Sequence, residues 1–157
     1  MKKSRSRKSK PKKQKRAAKS KSSSRKIQIP GMGKELRATV ECVVPFEWTI
    51  AAYDSTLPAV LSTPAMIGLM ELAAAQAIRS HLPAGAISVG TRIEVDHLKA
   101  VPQGAKVEAH ARFAGTRAQF LIFESEATCG SNVIGRGRVF RAIVTAADFH
   151  ERATKKQ

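Results

Sequence analysis

Residues 62–78 read STPAMIGLMELAAAQAI, and this stretch decides the fold. Pro64 suits the first position of a helix, where a missing N–H costs nothing, and either Ser62 or Thr63 can cap that helix. We predict a helix that runs to about His81. Its apolar side chains fall on nearly every face, so the helix must be buried on most sides.

Strand-like segments lie on both sides of this helix in the chain. They cover residues 34–45 before it and about 86–98, 106–114, 119–128 and 133–146 after it, with turn residues at 101–104, 115–116 and 130–132. Consecutive strands at hairpin spacing favour an antiparallel sheet. The predicted fold is therefore α+β, with a sheet of about five strands wrapped around one long buried helix. Because one sheet covers only one side of that helix, we expect a homodimer at least.

Glu71 is the only charged residue between Ser55 and Ile78. An unpaired buried carboxylate is costly, so it either takes up a proton or finds a partner. Two interpretations remain open. The carboxylate lies on a thin exposed stripe with Gln76 and Arg79, or it is a reactive group inside the protein.

Two other polar residues are candidates to act with this carboxylate. Thr63 lies two helical turns earlier, although capping the helix is a sufficient role for it. In the strand-like segment that follows the helix, alternation places His97 on the same face as Ile93 and Val95, pointing at the helix. The neighbouring Asp96 then points away from the helix and is a poor partner for His97.

Arg141 is a second polar residue on an apolar face. Alternation places it beside Val139 and Ile143 in the last strand-like segment. An inward-facing arginine needs an anionic partner, from the protein or from a ligand. We therefore include Arg141 among the candidate site residues.

The net charge of +16 is spread unevenly along the chain. Residues 1–26 hold 14 of the 28 Lys and Arg residues and no acid, whereas the rest of the chain has 14 basic and 12 acidic residues. We expect residues 1–26 to be a disordered basic arm, residues 27–153 a globular domain and residues 154–157 a polar tail. The arm is either a tether to nucleic acid or an anionic surface, or a solubilising segment without a specific partner.

The two cysteines, Cys42 and Cys129, lie far apart and belong to no CxxC motif or Cys/His cluster. They indicate a reducing compartment, so we expect a cytoplasmic protein. We expect no metal site and no cofactor. We also expect no transmembrane segment, since prolines and Glu71 interrupt the apolar stretch around residue 71.

Taken together, several of these residues resemble a known signature. Thr63, the segment MIGLME at 66–71, Gly90–Thr91 and His97 are similar to the motifs of the fluoroacetyl-CoA thioesterase-like group of hotdog-fold proteins. The resemblance covers roughly residues 35–146 and leaves the basic arm outside. It implies a hotdog dimer that hydrolyses acyl-CoA thioesters.

The resemblance also implies a role for each residue. Glu71 is expected to be the nucleophile or the base that activates water, and His97 to move protons to the leaving thiolate and the attacking water. Thr63 is expected to orient the carboxylate. Gly90 lets the thioester carbonyl approach the backbone, and Arg141 corresponds to an arginine that lines the site.

The chain departs from the family pattern at Leu57, where the fluoroacetyl-specific enzyme carries a phenylalanine that helps to select fluoroacetyl over acetyl. We therefore expect a different small or medium acyl group as substrate. A non-catalytic hotdog dimer that binds acyl-CoA, or that presents the basic arm to nucleic acid, is the alternative. A hydratase is a weaker option, because the Asp and His pair that it requires on one short helix is absent from the sequence.

Overall fold

A computed structural model describes residues 36–155 of the chain. The basic arm predicted at residues 1–26 and the last two residues lie outside this range. The elements are, in chain order, β1 (Arg37–Val43), two 3₁₀ turns (Phe46–Trp48 and Ile50–Ala52), α1 (Thr63–Arg79), β2 (Ala86–His97), β3 (Lys106–Arg117), β4 (Phe120–Cys129), β5 (Asn132–Thr145) and α2 (Ala146–Thr154).

The strands that the structure describes form one antiparallel sheet in the order β1-β3-β4-β5-β2. The helix α1 packs against the inner face of this sheet and contacts every strand in it. The expectation of an α+β fold with an antiparallel sheet curled around one long helix is confirmed. Within residues 36–155, β1 and β2 are the two edge strands, so β2 pairs with β5 on one side only.

The core lies between α1 and the inner face of the sheet. Seven helix side chains are buried: Met66, Leu69, Met70, Ala73, Ala74, Ala77 and Ile78. They pack against strand residues such as Val107, Phe123 and Val139. The opposite side of α1 is exposed and includes Gln76 and Arg79, as the stripe interpretation predicted. Leu72 also lies there and is 47% exposed, so the helix is less completely covered than its apolar sequence suggests.

Alternation in β2 is confirmed in its second half and interrupted in its first. A one-residue bulge at Thr91 shifts the pairing with β5 between Gly90 and Arg92. As a result Gly90 and Ile93, three residues apart, both lie opposite inward-facing residues of β5. Asp96 lies on the outer face of the sheet, as predicted.

One prediction made from turn residues was wrong. The break expected at 115–116 is instead a bulge, since β3 continues to Arg117 with a register shift between Phe113 and Gly115. The reversal falls at the next two residues, where Ala118 has a φ of 56°. After β5 the chain forms α2, which is capped by Thr145 and ends at Thr154, the first residue of the predicted polar tail. The last two residues of that tail lie outside the described range.

No helix within residues 36–155 is long and apolar enough to cross a membrane.

Candidate active site

The start of α1 brings Thr63 and His97 together. Ser62 is the N-cap of the helix and its hydroxyl accepts a hydrogen bond from Ala65 N at 3.4 Å. Because Ser62 caps the helix, the hydroxyl of Thr63 is free for another partner. Thr63 Oγ1 lies 2.8 Å from Nδ1 of His97, which reaches it from the end of β2.

The other ring nitrogen of His97 has an unusual environment. Its Nε2 is buried and has no hydrogen-bond partner among the described residues. Buried polar atoms are nearly always hydrogen-bonded, so an unpartnered one needs an explanation. A ligand that supplies the missing partner is one such explanation, and the surroundings of His97 provide room for a ligand.

A cleft of about 350 Å³ opens beside this pair. Apart from Thr63 and His97, its lining is mostly apolar and consists of Ile50, Val60, Leu61, Leu98, Lys99 and Ala100. The volume is at the small end of the range for ligand sites in proteins. Sequence reasoning missed these lining residues, because they lie in the segment before Thr63 and in the loop after His97, and they follow no periodic pattern.

Glu71 lies two turns further along α1 and its carboxylate sits directly over Gly90 of β2. A Cβ atom at Gly90 would overlap Oε1 of Glu71 and lie 3.2 Å from its Cδ. The side chain is half-buried, and its carboxylate has no hydrogen bond or ion pair within residues 36–155. The carboxylate is therefore partly shielded from water and still available for reaction.

Arg141 of β5 is the third member of this second group. It is only 6% exposed, and its three nitrogens donate to Ser88 Oγ (3.0 Å), Ser88 O (2.8 Å) and the backbone carbonyl of Glu71 (3.3 Å). Burial lowers the pKa of Arg141, and attraction from Glu71 opposes this shift. The inward orientation predicted for Arg141 is confirmed, but its hydrogen-bond partners are neutral groups. Sequence reasoning missed Ser88, although alternation from Gly90 places it on the same face.

The sequence-predicted site residues thus form two groups within the chain. Thr63 and His97 are in contact, whereas Glu71 lies with Gly90 and Arg141. Eight residues of helix separate Thr63 from Glu71, a rise of about 12 Å. Seven residues of extended strand, about 20 Å or more, separate Gly90 from His97. Within a single chain the carboxylate of Glu71 and the imidazole of His97 are therefore not in contact.

Leu57 belongs to neither group. It lies in the loop before α1, is 43% exposed, and its backbone N–H donates to Asp54 O at 3.0 Å. Ile50 and Val60 from the same loop line the cleft beside Thr63, but Leu57 is not part of that lining.

No group of three or more His, Cys, Asp or Glu side chains within residues 36–155 is placed to hold a metal ion.

Comparisons with known proteins identify the family. The family model described as fluoroacetyl-CoA-specific thioesterase matches residues 44–147. The fluoroacetyl-CoA thioesterase of Streptantibioticus cattleyicolor is 31% identical over 132 residues, which cover 80% of this chain and 95% of that protein.

Solved structures support the same family and show the fold. The fluoroacetyl-CoA thioesterase FlK superposes with a TM-score of 0.71 at 31% identity, covering 77% of this chain and 94% of that chain. A hot-dog-like protein from Thermanaerovibrio acidaminovorans is 21% identical, with a TM-score of 0.68 over 74% of this chain and 87% of that chain. The chain has the hotdog fold and belongs to the fluoroacetyl-CoA-specific thioesterase family.

Proposed function

We propose that the protein hydrolyses the thioester of a small or medium acyl-CoA, with Glu71, His97 and Thr63 as its catalytic residues. The observation that carries the proposal is the buried Nε2 of His97, which has no partner among the described residues and lies at a small apolar cleft. Family membership supports hydrolysis over a non-catalytic binding module.

The chemistry divides between the three side chains. Glu71 either takes a proton from water, so that hydroxide attacks the thioester carbon, or attacks that carbon itself to form an anhydride that water then hydrolyses. In both routes the carbon–sulfur bond breaks and His97 supplies a proton to the leaving thiolate. The 2.8 Å contact between Thr63 and His97 supports a role for the hydroxyl in orienting the imidazole. This role differs from the one implied by the family resemblance, in which Thr63 orients the carboxylate.

We propose further that the working site is shared by two protomers. Glu71 and His97 are too far apart within one protomer to act on the same bond. The free side of β2 is available for a second β2, since within residues 36–155 this strand pairs only with β5. An antiparallel pairing with its two-fold axis near Ile93 would bring Gly90 and Glu71 of one protomer to Thr63 and His97 of its partner. The exposed Leu72 and Leu98 give such a homodimer apolar surface to bury.

The substrate proposal rests on the cleft and on Leu57. The mostly apolar lining of the cleft suits an acyl chain. A variant of FlK has been solved in complex with acetyl-CoA, at 30% identity to this chain and a TM-score of 0.72. Because Leu57 replaces an aromatic gate residue, we propose an acyl group other than fluoroacetyl. Hydrolysis needs only water as a second reactant, so we propose no cofactor. The two free cysteines support a cytoplasmic location.

A thiol-release screen over a panel of acyl-CoAs tests the hydrolytic function. We expect turnover by the wild-type protein and a loss on the order of 1000-fold in Glu71→Gln, which keeps the shape of the side chain and removes its charge. Glu126→Gln, on the exposed outer face of the sheet, is the matched control and should keep wild-type turnover. Full turnover by Glu71→Gln would contradict the mechanism.

Mixing two inactive variants tests the shared site. Glu71→Gln and His97→Ala are each expected to be inactive as homodimers, whereas a mixed dimer retains one site with both native residues. After unfolding and refolding the two chains together, about a quarter of wild-type activity is expected, because half of the random dimers are mixed and each has one intact site of two. If both residues act from the same protomer, no activity returns.

A further inference from the structure

The guanidinium of Arg141 links two elements of the site. Nε and Nη2 donate to Ser88 of β2, through its hydroxyl at 3.0 Å and its backbone carbonyl at 2.8 Å. Nη1 donates to the backbone carbonyl of Glu71 in α1 at 3.3 Å. A single side chain from β5 therefore connects the strand that carries Gly90 to the helical turn that carries Glu71.

Burying the positive charge of Arg141 is energetically unfavourable. Arg141 is 6% exposed and its hydrogen-bond partners are neutral, so burial lowers its pKa, with the attraction of Glu71 acting in the opposite direction. A buried charge is weak evidence for stability, because apolar residues often replace it without loss. Its planar fork, however, fixes direction as well as distance, and a single-nitrogen cation cannot reproduce that geometry.

The geometry that this fork fixes matters at Glu71. The carboxylate lies over Gly90 with no room for a Cβ atom between them. Ser88 is two residues from Gly90 and faces the same side of β2, just before the bulge at Thr91. A shift of the helical turn relative to Ser88 would therefore move the carboxylate directly. Each nitrogen of Arg141 donates to a protein acceptor and the side chain is only 6% exposed, so these three hydrogen bonds are sufficient to fix its orientation.

We propose that Arg141 and Ser88 form a positioning clip, which holds the Glu71 turn of α1 at a fixed place over Gly90. This proposal rests on the proposed function, in which Glu71 carries out hydrolysis. It assigns Arg141 a different task from substrate binding, and it gives Ser88 a role.

Arg141→Lys separates the clip from a simple charge effect. Lysine keeps the positive charge, but its donors share a single nitrogen and cannot reproduce the planar spread by which Arg141 reaches Ser88 and Glu71 from separate nitrogens. We expect kcat to fall on the order of 100-fold, as for a misplaced catalytic group, while KM changes by less than about threefold because no substrate contact is lost. A substrate-binding arginine predicts the opposite pattern, with a raised KM and a nearly unchanged kcat, and that result would overturn the clip.

Ser88→Ala provides a second variant that removes only one hydroxyl acceptor. It should lower kcat in the same direction by a smaller factor. The double variant should lose less than the product of the two single losses, because both substitutions break the same connection. Independent, multiplying effects would contradict a shared role. Arg138→Lys, on the same strand but on the exposed outer face, is the control and should keep wild-type kinetics.

Hydrogen exchange gives a readout that does not depend on turnover. In Arg141→Lys and Ser88→Ala, amides in residues 68–75 and 86–91 should exchange faster, while those of β3 and β4 keep wild-type protection. Unchanged protection in the two segments would overturn the clip, whether or not the protein hydrolyses acyl-CoA. Failure of the wild-type protein to release thiol from any acyl-CoA would instead overturn the proposed function and leave the exchange result to decide the clip.

Discussion

At the scale of single residues, Gly90 controls where the Glu71 carboxylate can lie. Gly90→Ala places a Cβ atom where Oε1 now sits. Since that oxygen is the far end of a flexible side chain, the carboxylate should rotate away at little cost in folding free energy. We predict a fall in kcat on the order of 100-fold with a melting temperature within a few degrees of wild type. Steady-state kinetics beside a thermal melt measures both effects. A variant that keeps its turnover would show that the carboxylate does not work from this position.

The residues of the candidate site differ in how far sequence could predict them. Strand alternation alone correctly turned His97 towards the helix, because side chains alternate with a fixed period. Alternation also correctly predicted that Arg141 points inward, but it could not predict which groups accept its hydrogen bonds. Those depend on the register between β2 and β5, which the bulge at Thr91 shifts by one residue. Nothing in the local sequence around Arg141 specifies that shift, so the pairing of Arg141 with Ser88 is known only from the structure.

At the scale of elements, the hairpin between β3 and β4 turns at Ala118, whose φ of 56° lies in the left-handed region. An L-residue pays about 1 kcal/mol for this conformation, whereas glycine adopts it freely. We predict that Ala118→Gly raises the free energy of unfolding by about 0.5–1 kcal/mol, measured by urea denaturation. Gln119→Gly in the same turn is the control. Its φ is not positive, so it should gain nothing. Equal gains in both variants would contradict this explanation.

The same hairpin shows why turn positions are hard to predict. Gly115 indicated a turn, and its φ of 133° does require glycine, but the strand uses it for a bulge. The actual turn at residues 118–119 has no glycine or proline. Its position follows from the pairing of Arg117 with Phe120. Pairing between β3 and β4 thus overrides the local signal. The long helix, in contrast, was predictable, because its apolar composition and its capping residue act locally.

At the scale of the whole molecule, most of the net charge lies in the basic arm and outside the domain that holds the candidate catalytic residues. Removing residues 1–26 takes away 14 positive charges and no negative ones, which changes the net charge from +16 to +2. The described domain, residues 36–155, contains every candidate catalytic residue and the sheet that holds them. Acyl-CoA hydrolysis should therefore depend on the domain, and any attraction to polyanions should depend on the arm.

We predict that the protein without residues 1–26 keeps wild-type kcat and melting temperature but loses retention on a duplex DNA or heparin column. For the full chain, the logarithm of the binding constant for DNA should fall linearly with the logarithm of salt concentration, because each neutralised phosphate releases counterions. Scrambling the order of residues 1–26 is the matched control, since it keeps composition and charge. Binding that survives scrambling indicates a purely electrostatic arm, whereas binding that survives deletion would assign the polyanion surface to the domain instead.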